Sequence, residues 1–398
     1  MLENIDMAPA DAILGLTEAF KADTNPEKIN LGVGVYKDAG GATPILESVR
    51  RAEQLILDRQ TTKSYLGIDG MPALGRCVRQ LLFGDDSEWV DSGRAVSAQT
   101  PGGTGALRIA GDLIQRLAPQ ATVWLPDPTW ANHKNVFTAA GLATASYPYY
   151  DAQAKALDFE AMVTALQKVP AGDVVLFHAC CHNPTGMDPS AEQWATLAQV
   201  AAEAGFLSFF DFAYQGFGDG LDADAAGLRA FADAVTELMV SSSFSKNFGL
   251  YNQRIGALTY LGSDADISAK VLSHIKKVIR ANYSNPPAHG AQIVTTILTE
   301  EDLRDLWRQE VADMRERING MRRLFVQALA AKGVKRDFSF ITTQRGMFSF
   351  SGLTKEQVHM LRDKYSIYIV DSGRINVAGM TSANMDRLCE AIADVLGD

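Results

Sequence analysis

Continuous apolar runs recur along the chain at 122–125, 174–177, 206–210, 238–240 and 255–261. Runs of this length predict strands buried on both faces rather than strands with one wet face. Between most of them lie helical patterns: 104–117 places Ala106, Ile109, Ala110, Leu113, Ile114 and Leu117 on one stripe, and others fall near 157–168, 190–203 and 224–235. Strands alternating with helices predict a mostly parallel α/β sheet. From 301 to 332 the apolar positions Leu303, Trp307, Val311, Met314, Ile318, Met321, Phe325 and Ala328 keep a helical spacing, with Gly333 where a cap belongs. This predicts one long helix bridging two domains. Beyond it, 338–342, 347–350 and 367–370 read as strands of a smaller α+β domain closed by a helix over 382–396. The first 40 residues are expected to join that domain.

Composition narrows the function. The 398 residues are 47% hydrophobic and 21% charged, with a net charge of −10. That is a globular balance with no positive field to collect nucleic acid. Four cysteines, Cys77, Cys180, Cys181 and Cys389, are too few to staple a chain of this size. They predict reduced thiols and a cytoplasmic location. The opening Met1-Leu2-Glu3-Asn4-Ile5-Asp6 is acidic where a signal peptide is basic, and no apolar run is long enough for a membrane span.

Ligands of open parallel sheets bind beyond the carboxyl ends of the strands, so the residues after each run carry the chemistry. A strand near 94–98 leads to Thr100-Pro101-Gly102-Gly103-Thr104-Gly105 and directly into a helix, a phosphate cradle of close backbone and free N–H groups. The next strand leads to Trp130, an aromatic wall or a core residue. Residues 178–186 follow 174–177 and contain His178, Cys180, Cys181 and His182. A metal site is not expected there, because neighbouring strand residues point to opposite faces and no second ligand pair is spaced to complete it. Asp211 ends a nearly all-aromatic strand and needs a partner. Lys246 stands among serines and aromatics in Ser241-Ser242-Ser243-Phe244-Ser245-Lys246, where desolvation lowers its pKa and makes it nucleophilic. Together these fit pyridoxal 5'-phosphate, which needs a lysine, an acid for its ring nitrogen, an anion cradle and an aromatic wall.

Several stretches resemble the aspartate aminotransferase family, in the subgroup of aspartate and aromatic amino-acid aminotransferases. They are Asn30-Leu31-Gly32-Val33-Gly34-Val35-Tyr36, Tyr65-Leu66-Gly67-Ile68-Asp69-Gly70, the 101–108 cradle, Asn183-Pro184-Thr185-Gly186, 243–251 and Arg280-Ala281-Asn282-Tyr283-Ser284-Asn285-Pro286-Pro287. The resemblance spans essentially the whole chain. It implies fold type I of the pyridoxal-phosphate enzymes, with a mostly parallel seven-stranded sheet flanked by helices. A large domain over 44–313 and a small one over 1–43 plus 314–398 would be joined by the long helix.

By that resemblance Lys246 holds the cofactor and moves the substrate proton, Asp211 pairs with the ring nitrogen, and Asn183 and Tyr214 hydrogen-bond the phenolic oxygen. Trp130 and His178 flank the cofactor. Gly103, Thr104, Ser243, Ser245 and Arg254 bind the phosphate, joined by Tyr65 from the second subunit of a homodimer. Arg374 anchors the α-carboxylate, and Arg280, from the other subunit, receives a second carboxylate; Gly34, Trp130, Asn183 and His133 line the pocket. The implied reaction is ping-pong transfer between L-aspartate and 2-oxoglutarate, giving oxaloacetate and L-glutamate. The alternative is an aromatic amino-acid aminotransferase of dual specificity. The stretch Val35-Tyr36-Lys37-Asp38 with Thr43, Thr104 and Asn285 looks like the aspartate branch, while Ser64 departs from its usual asparagine.

Overall fold

The computed structural model describes residues 2–3, 5–7 and 12–397; Met1 and Asn4 of the acidic opening lie outside them. The chain divides into two units, Pro44–Glu316 and the paired segments Met1–Thr43 and Arg317–Asp398.

The larger unit is built on seven strands: β1 Ala95–Pro101, β2 Thr122–Asp127, β3 Ala143–Pro148, β4 Val174–His178, β5 Leu207–Phe212, β6 Leu238–Ser243 and β7 Ile255–Leu261. Their order is β1-β7-β6-β5-β4-β2-β3. β7 runs antiparallel to both neighbours and every other pairing is parallel. Every residue of β4, β6 and β7 is buried, which is why they read as unbroken apolar or small-residue runs. β3 is an edge strand, partly exposed, and its Ala-Thr-Ala-Ser-Tyr-Pro carries no such run.

Helix α1, Gly102–Leu117, buries Ile109 and Leu113 in the same core cluster as Val123 of β2 and Phe209 of β5. Each such side chain contributes about 1.5–3 kcal/mol on burial. On the opposite face Phe177 of β4 and Phe210 of β5 pack at 5.4 Å between centroids, and Phe231 of the helix Ala226–Ala234 meets Phe210 at 5.0 Å. This double coverage leaves the strand ends as the place for polar chemistry. The register aligns His178 with Asp211 and Asp211 with Ser241. Because β7 is antiparallel, it starts where its neighbours finish, so Arg254 comes to the same edge.

In the smaller unit Ile29–Asn30 pairs in parallel with Ile367–Tyr368, and β8, Phe348–Phe350, pairs antiparallel with β9, Arg374–Asn376. The closing helix spans Ser382–Leu396 behind a Thr381 capping box. The strand expected at 338–342 is instead a 3-10 turn, Ser339–Thr343. Phe338 and Phe340 mimic strand alternation, but the buried pair is Phe338 and Ile341, three residues apart. The long helix, α2, spans Glu301–Ala331 and contributes residues to both units. Among the described residues no helix is long and apolar enough to cross a membrane.

Candidate active site

The anion cradle forms where β1 runs into α1. The helix begins at Gly102, two residues before the expected Thr104, and Pro101 offers no side-chain cap, so the first N–H groups are left for a ligand. Gly102 has φ +76°, and a Cβ there would lie 2.5 Å from the Arg254 guanidinium. A Cβ on Gly103 would lie 3.0 Å from that of Ser243. Glycine at both positions is what lets the strand-end side chains approach the helix start. Ser241 Oγ donates to the Gly103 carbonyl at 3.0 Å, Ser243 Oγ to Ser245 Oγ at 3.3 Å, and Arg254 Nη1 reaches Ser245 Oγ at 3.5 Å. Arg254 is braced through the Tyr251 carbonyl at 2.9 Å. With half-buried Thr104 this is a set of hydroxyl, amide and guanidinium donors without a carboxylate, suited to a phosphate.

Lys246 lies in the turn after β6, closed by Gly249 N–H on its carbonyl at 3.0 Å. Two residues on, Phe248 stacks on Trp307 at 4.4 Å, while Trp307 Nε1 donates to the Asn247 carbonyl at 2.8 Å. The Lys246 ammonium sits 4.8 Å from the centroid of the buried Tyr214 ring. Burial lowers its pKa to about 8, with Asp211 opposing that shift and Arg254 adding to it.

Asp211 ends a relay of side chains from three strand ends. Asn183 N–H donates to His178 Nδ1 at 3.4 Å. Burial drops the His178 pKa to about 3, so the ring is neutral and its proton is on Nε2. His178 Nε2 then donates to Thr129 Oγ1 at 2.9 Å, Thr129 to His133 Nδ1 at 2.7 Å, and His133 Nε2 to Asp211 Oδ2 at 3.0 Å. Every bond points toward the carboxylate. Burial pushes the Asp211 carboxyl up, but the His133 hydrogen bond, the two imidazoles and Lys246 together hold it below its ordinary value. An ionised acid is what a protonated ring nitrogen requires, so cradle, amine and acid fit pyridoxal phosphate. Trp130 is half-buried and meets His133 edge-on at 5.2 Å.

His133 was expected only as pocket lining, and Thr129 was not singled out at all. The sequence signal was faint: a hydroxyl four residues before a histidine, after a strand.

The expectation that Cys180 and Cys181 diverge is corrected. β4 stops at His178, and Cys181 at φ +53° turns the chain. The two sulfurs and the Asp224 carboxylate lie within 4.8 Å of one another, all buried. That carboxylate already accepts N–H bonds from Gly216, Gly218 and Asp219, and burial pushes the Cys180 thiol well up. His182, stacked on Tyr149 at 3.8 Å, bonds Thr185 through Nδ1.

Tyr65 is 93% exposed, and Arg280, at the end of the helix Ala265–Asn282, is exposed with Nη1 on Ser284 Oγ. In the smaller unit Arg374 is buried, donates through Nη2 to the Gly32 carbonyl at 2.6 Å and lies over Phe348, beside Gly34.

Fold and site together define a class. Residues 26–392 match the family described as aminotransferase class I and II, and the chain belongs to it. It is 59% identical over 396 residues to an aspartate aminotransferase of Escherichia coli (strain K12), covering 100% of both chains. It is 48% identical over 390 residues to an aromatic-amino-acid aminotransferase of Pseudomonas aeruginosa, covering 98% of each. Its fold matches, at TM-score 0.97 and 49% identity, the aromatic-amino-acid aminotransferase from Burkholderia pseudomallei covalently bound to pyridoxal phosphate, covering 100% of this chain and 99% of that one.

Proposed function

We propose that the protein is a cytoplasmic, homodimeric enzyme that uses pyridoxal phosphate to exchange an amino group between L-aspartate and 2-oxoglutarate, giving oxaloacetate and L-glutamate. The observation that carries this is Lys246, an amine of lowered pKa over the Tyr214 ring, beside an Asp211 kept ionised by its relay. The full-length aspartate aminotransferase relatives support the substrate pair. Four buried cysteines that form no disulfide are in keeping with a reducing compartment.

The bound cofactor supplies an aldehyde to carry the amino group and a ring to take up the electron pair left at the substrate Cα. Lys246 Nζ would hold the cofactor and, once released, take the Cα proton and return it on the other side of the exchange. Asp211 keeps the ring nitrogen protonated. Asn183 and Tyr214 donate to the phenolic oxygen, Trp130 and His178 wall the ring, and Gly103, Thr104, Ser243, Ser245 and Arg254 hold the phosphate. Arg374 grips the α-carboxylate with its flat fork, each charged hydrogen bond contributing about 1.5–3 kcal/mol. Gly34 leaves room for the substrate. Exposed Tyr65 and Arg280 are offered to a second copy of the chain, Tyr65 to its phosphate and Arg280 to the side-chain carboxylate.

Relatives bearing both names favour a second reading, dual specificity for aromatic amino acids. Single-turnover absorbance decides between them: cofactor-loaded protein is mixed with aspartate and, separately, with phenylalanine. Rapid conversion by aspartate alone is expected. Comparable rates with both would establish dual specificity, and no conversion by either would end the transaminase reading.

A further inference from the structure

β8 and β9 arrange a second set of residues around Arg374. Phe348 stands directly opposite Asn376 and Phe350 opposite Arg374, so Phe348 and Arg374 are diagonal neighbours on one face of the ribbon. The Phe348 ring centroid is 4.2 Å from the Arg374 guanidinium carbon. Arg374 and Asn376 stitch the 32–35 segment from the same face: Arg374 donates to the Gly32 carbonyl at 2.6 Å, and Asn376 Nδ2 to those of Val33 at 2.7 Å and Val35 at 2.9 Å. Between those carbonyls is Gly34, where a Cβ would fall 2.5 Å from Phe348 Cζ. The ring is thus held between a backbone it nearly touches and the cation it covers.

The strand is fixed from behind. Arg322, 1% exposed, donates to the carbonyls of Gly346 at 2.5 Å and Phe348 at 2.9 Å, and to Ser349 Oγ. A buried guanidinium that bonds Gly346, Phe348 and Ser349, and also the Ile341 carbonyl at 3.5 Å, ties this strand to the turn before it.

We propose that Phe348 is the positioning residue of Arg374: its ring supports one face of the guanidinium and orients the planar edge that takes the α-carboxylate. This rests on the reading of Arg374 given above. The α-carboxylate is common to all amino-acid substrates, so loss of the ring weakens binding of dicarboxylic and monocarboxylic substrates alike.

Steady-state kinetics of the loaded enzyme with aspartate, glutamate and phenylalanine test this. Phe348→Leu, and Phe348→Met as a second ringless variant, are expected to raise KM about tenfold for all three, with kcat within about threefold. Phe348→Tyr is expected to restore KM, and the cofactor's absorbance and retention to stay at the wild-type level. A rise confined to aspartate and glutamate, a failure of tyrosine to rescue, or a loss of cofactor matching the loss of rate would overturn the proposal. Arg374→Lys separates the two readings. If it raises KM while the ringless variants do not, Phe348 falls and Arg374 stands; if it leaves KM unmoved, the carboxylate reading fails and takes this inference with it.

Discussion

Two aspartates thirteen residues apart in sequence, Asp211 largely and Asp224 fully buried, show opposite electrostatics. Asp211 lies at the end of β5 and is held below the ordinary carboxylate pKa; burial raises it, but His133, His178 and Lys246 outweigh that. Asp224 is pushed upward by burial, although three backbone N–H groups, from Gly216, Gly218 and Asp219, bond it at 2.7–3.0 Å. Asp224 has more hydrogen bonds yet the weaker hold on its charge. Hydrogen bonds favour the ionised form at both sites, but at Asp224 they do not offset burial and the nearby Asp219, whereas at Asp211 His133, His178 and Lys246 add favourable electrostatics to the His133 bond and carry the balance the other way. The first arrangement is the one the proposed reaction needs, and the second ties the 216–219 loop to its carboxylate.

The largest expected effect separates them by substitution. Asp211→Asn keeps the shape and removes the charge, and is expected to lower kcat/KM about 10²–10³-fold while the denaturation midpoint changes little. Asp224→Asn sets an NH₂ group against a backbone N–H and is expected to cost about 1–3 kcal/mol of stability, with kcat within about threefold. Urea unfolding alongside steady-state rates reads both. The distinction collapses if Asp224→Asn is the slower enzyme or Asp211→Asn the less stable protein.

A smaller effect sharpens the Asp211 side alone. Thr129→Val cuts the relay at its centre without touching either partner's ring, so His178 no longer reaches His133. Asp211 loses polarisation and its carboxyl moves upward. The acid limb of the kcat profile is therefore expected to shift to higher pH, with kcat at neutral pH falling about tenfold. Thr129→Ser, which restores the hydroxyl, is expected to recover both; an unchanged acid limb in the valine variant would mean that the relay does not set the ionisation of Asp211.

How much of this could be read in the sequence follows the same division. Asp211 and Lys246 stood out because β5 and β6 are buried runs, and a charge at or just past the end of such a run is conspicuous. The Gly102-Gly103 turn stood out because only glycine allows the approach seen there. Thr129 did not, since its partners His133 and His178 are 4 and 49 residues away and meet it only through the order β4-β2 in the sheet. Nothing local marks Asp224, which follows Asp219 and Asp222 in a short acidic stretch. Cys180 and Cys181 escape strand alternation because β4 ends at His178 and Cys181, at φ +53°, turns the chain. Periodicity reports burial along one element; it is silent on what another element brings alongside.

The finest test uses Lys246 as a probe of both carboxylates. In the cofactor-free protein its amine is expected to titrate at about 8, against an ordinary 10.5, with burial as the main cause and Asp211 the opposing charge. Acylation by an amine-reactive reagent, read on the Lys246 peptide from about pH 6 to about pH 11, gives the midpoint directly. Asp211→Asn removes the charge that favours the ammonium, so the midpoint moves down; Asp224→Asn leaves it in place. The sign carries into stability: between the folded and unfolded midpoints the unfolded chain binds a proton that the folded chain does not, so this group's contribution rises with pH across that window. A wild-type midpoint near 10.5 would remove the case for a desolvated nucleophile. A downward shift in Asp224→Asn equal to that in Asp211→Asn would show that the two carboxylates are not electrostatically separate.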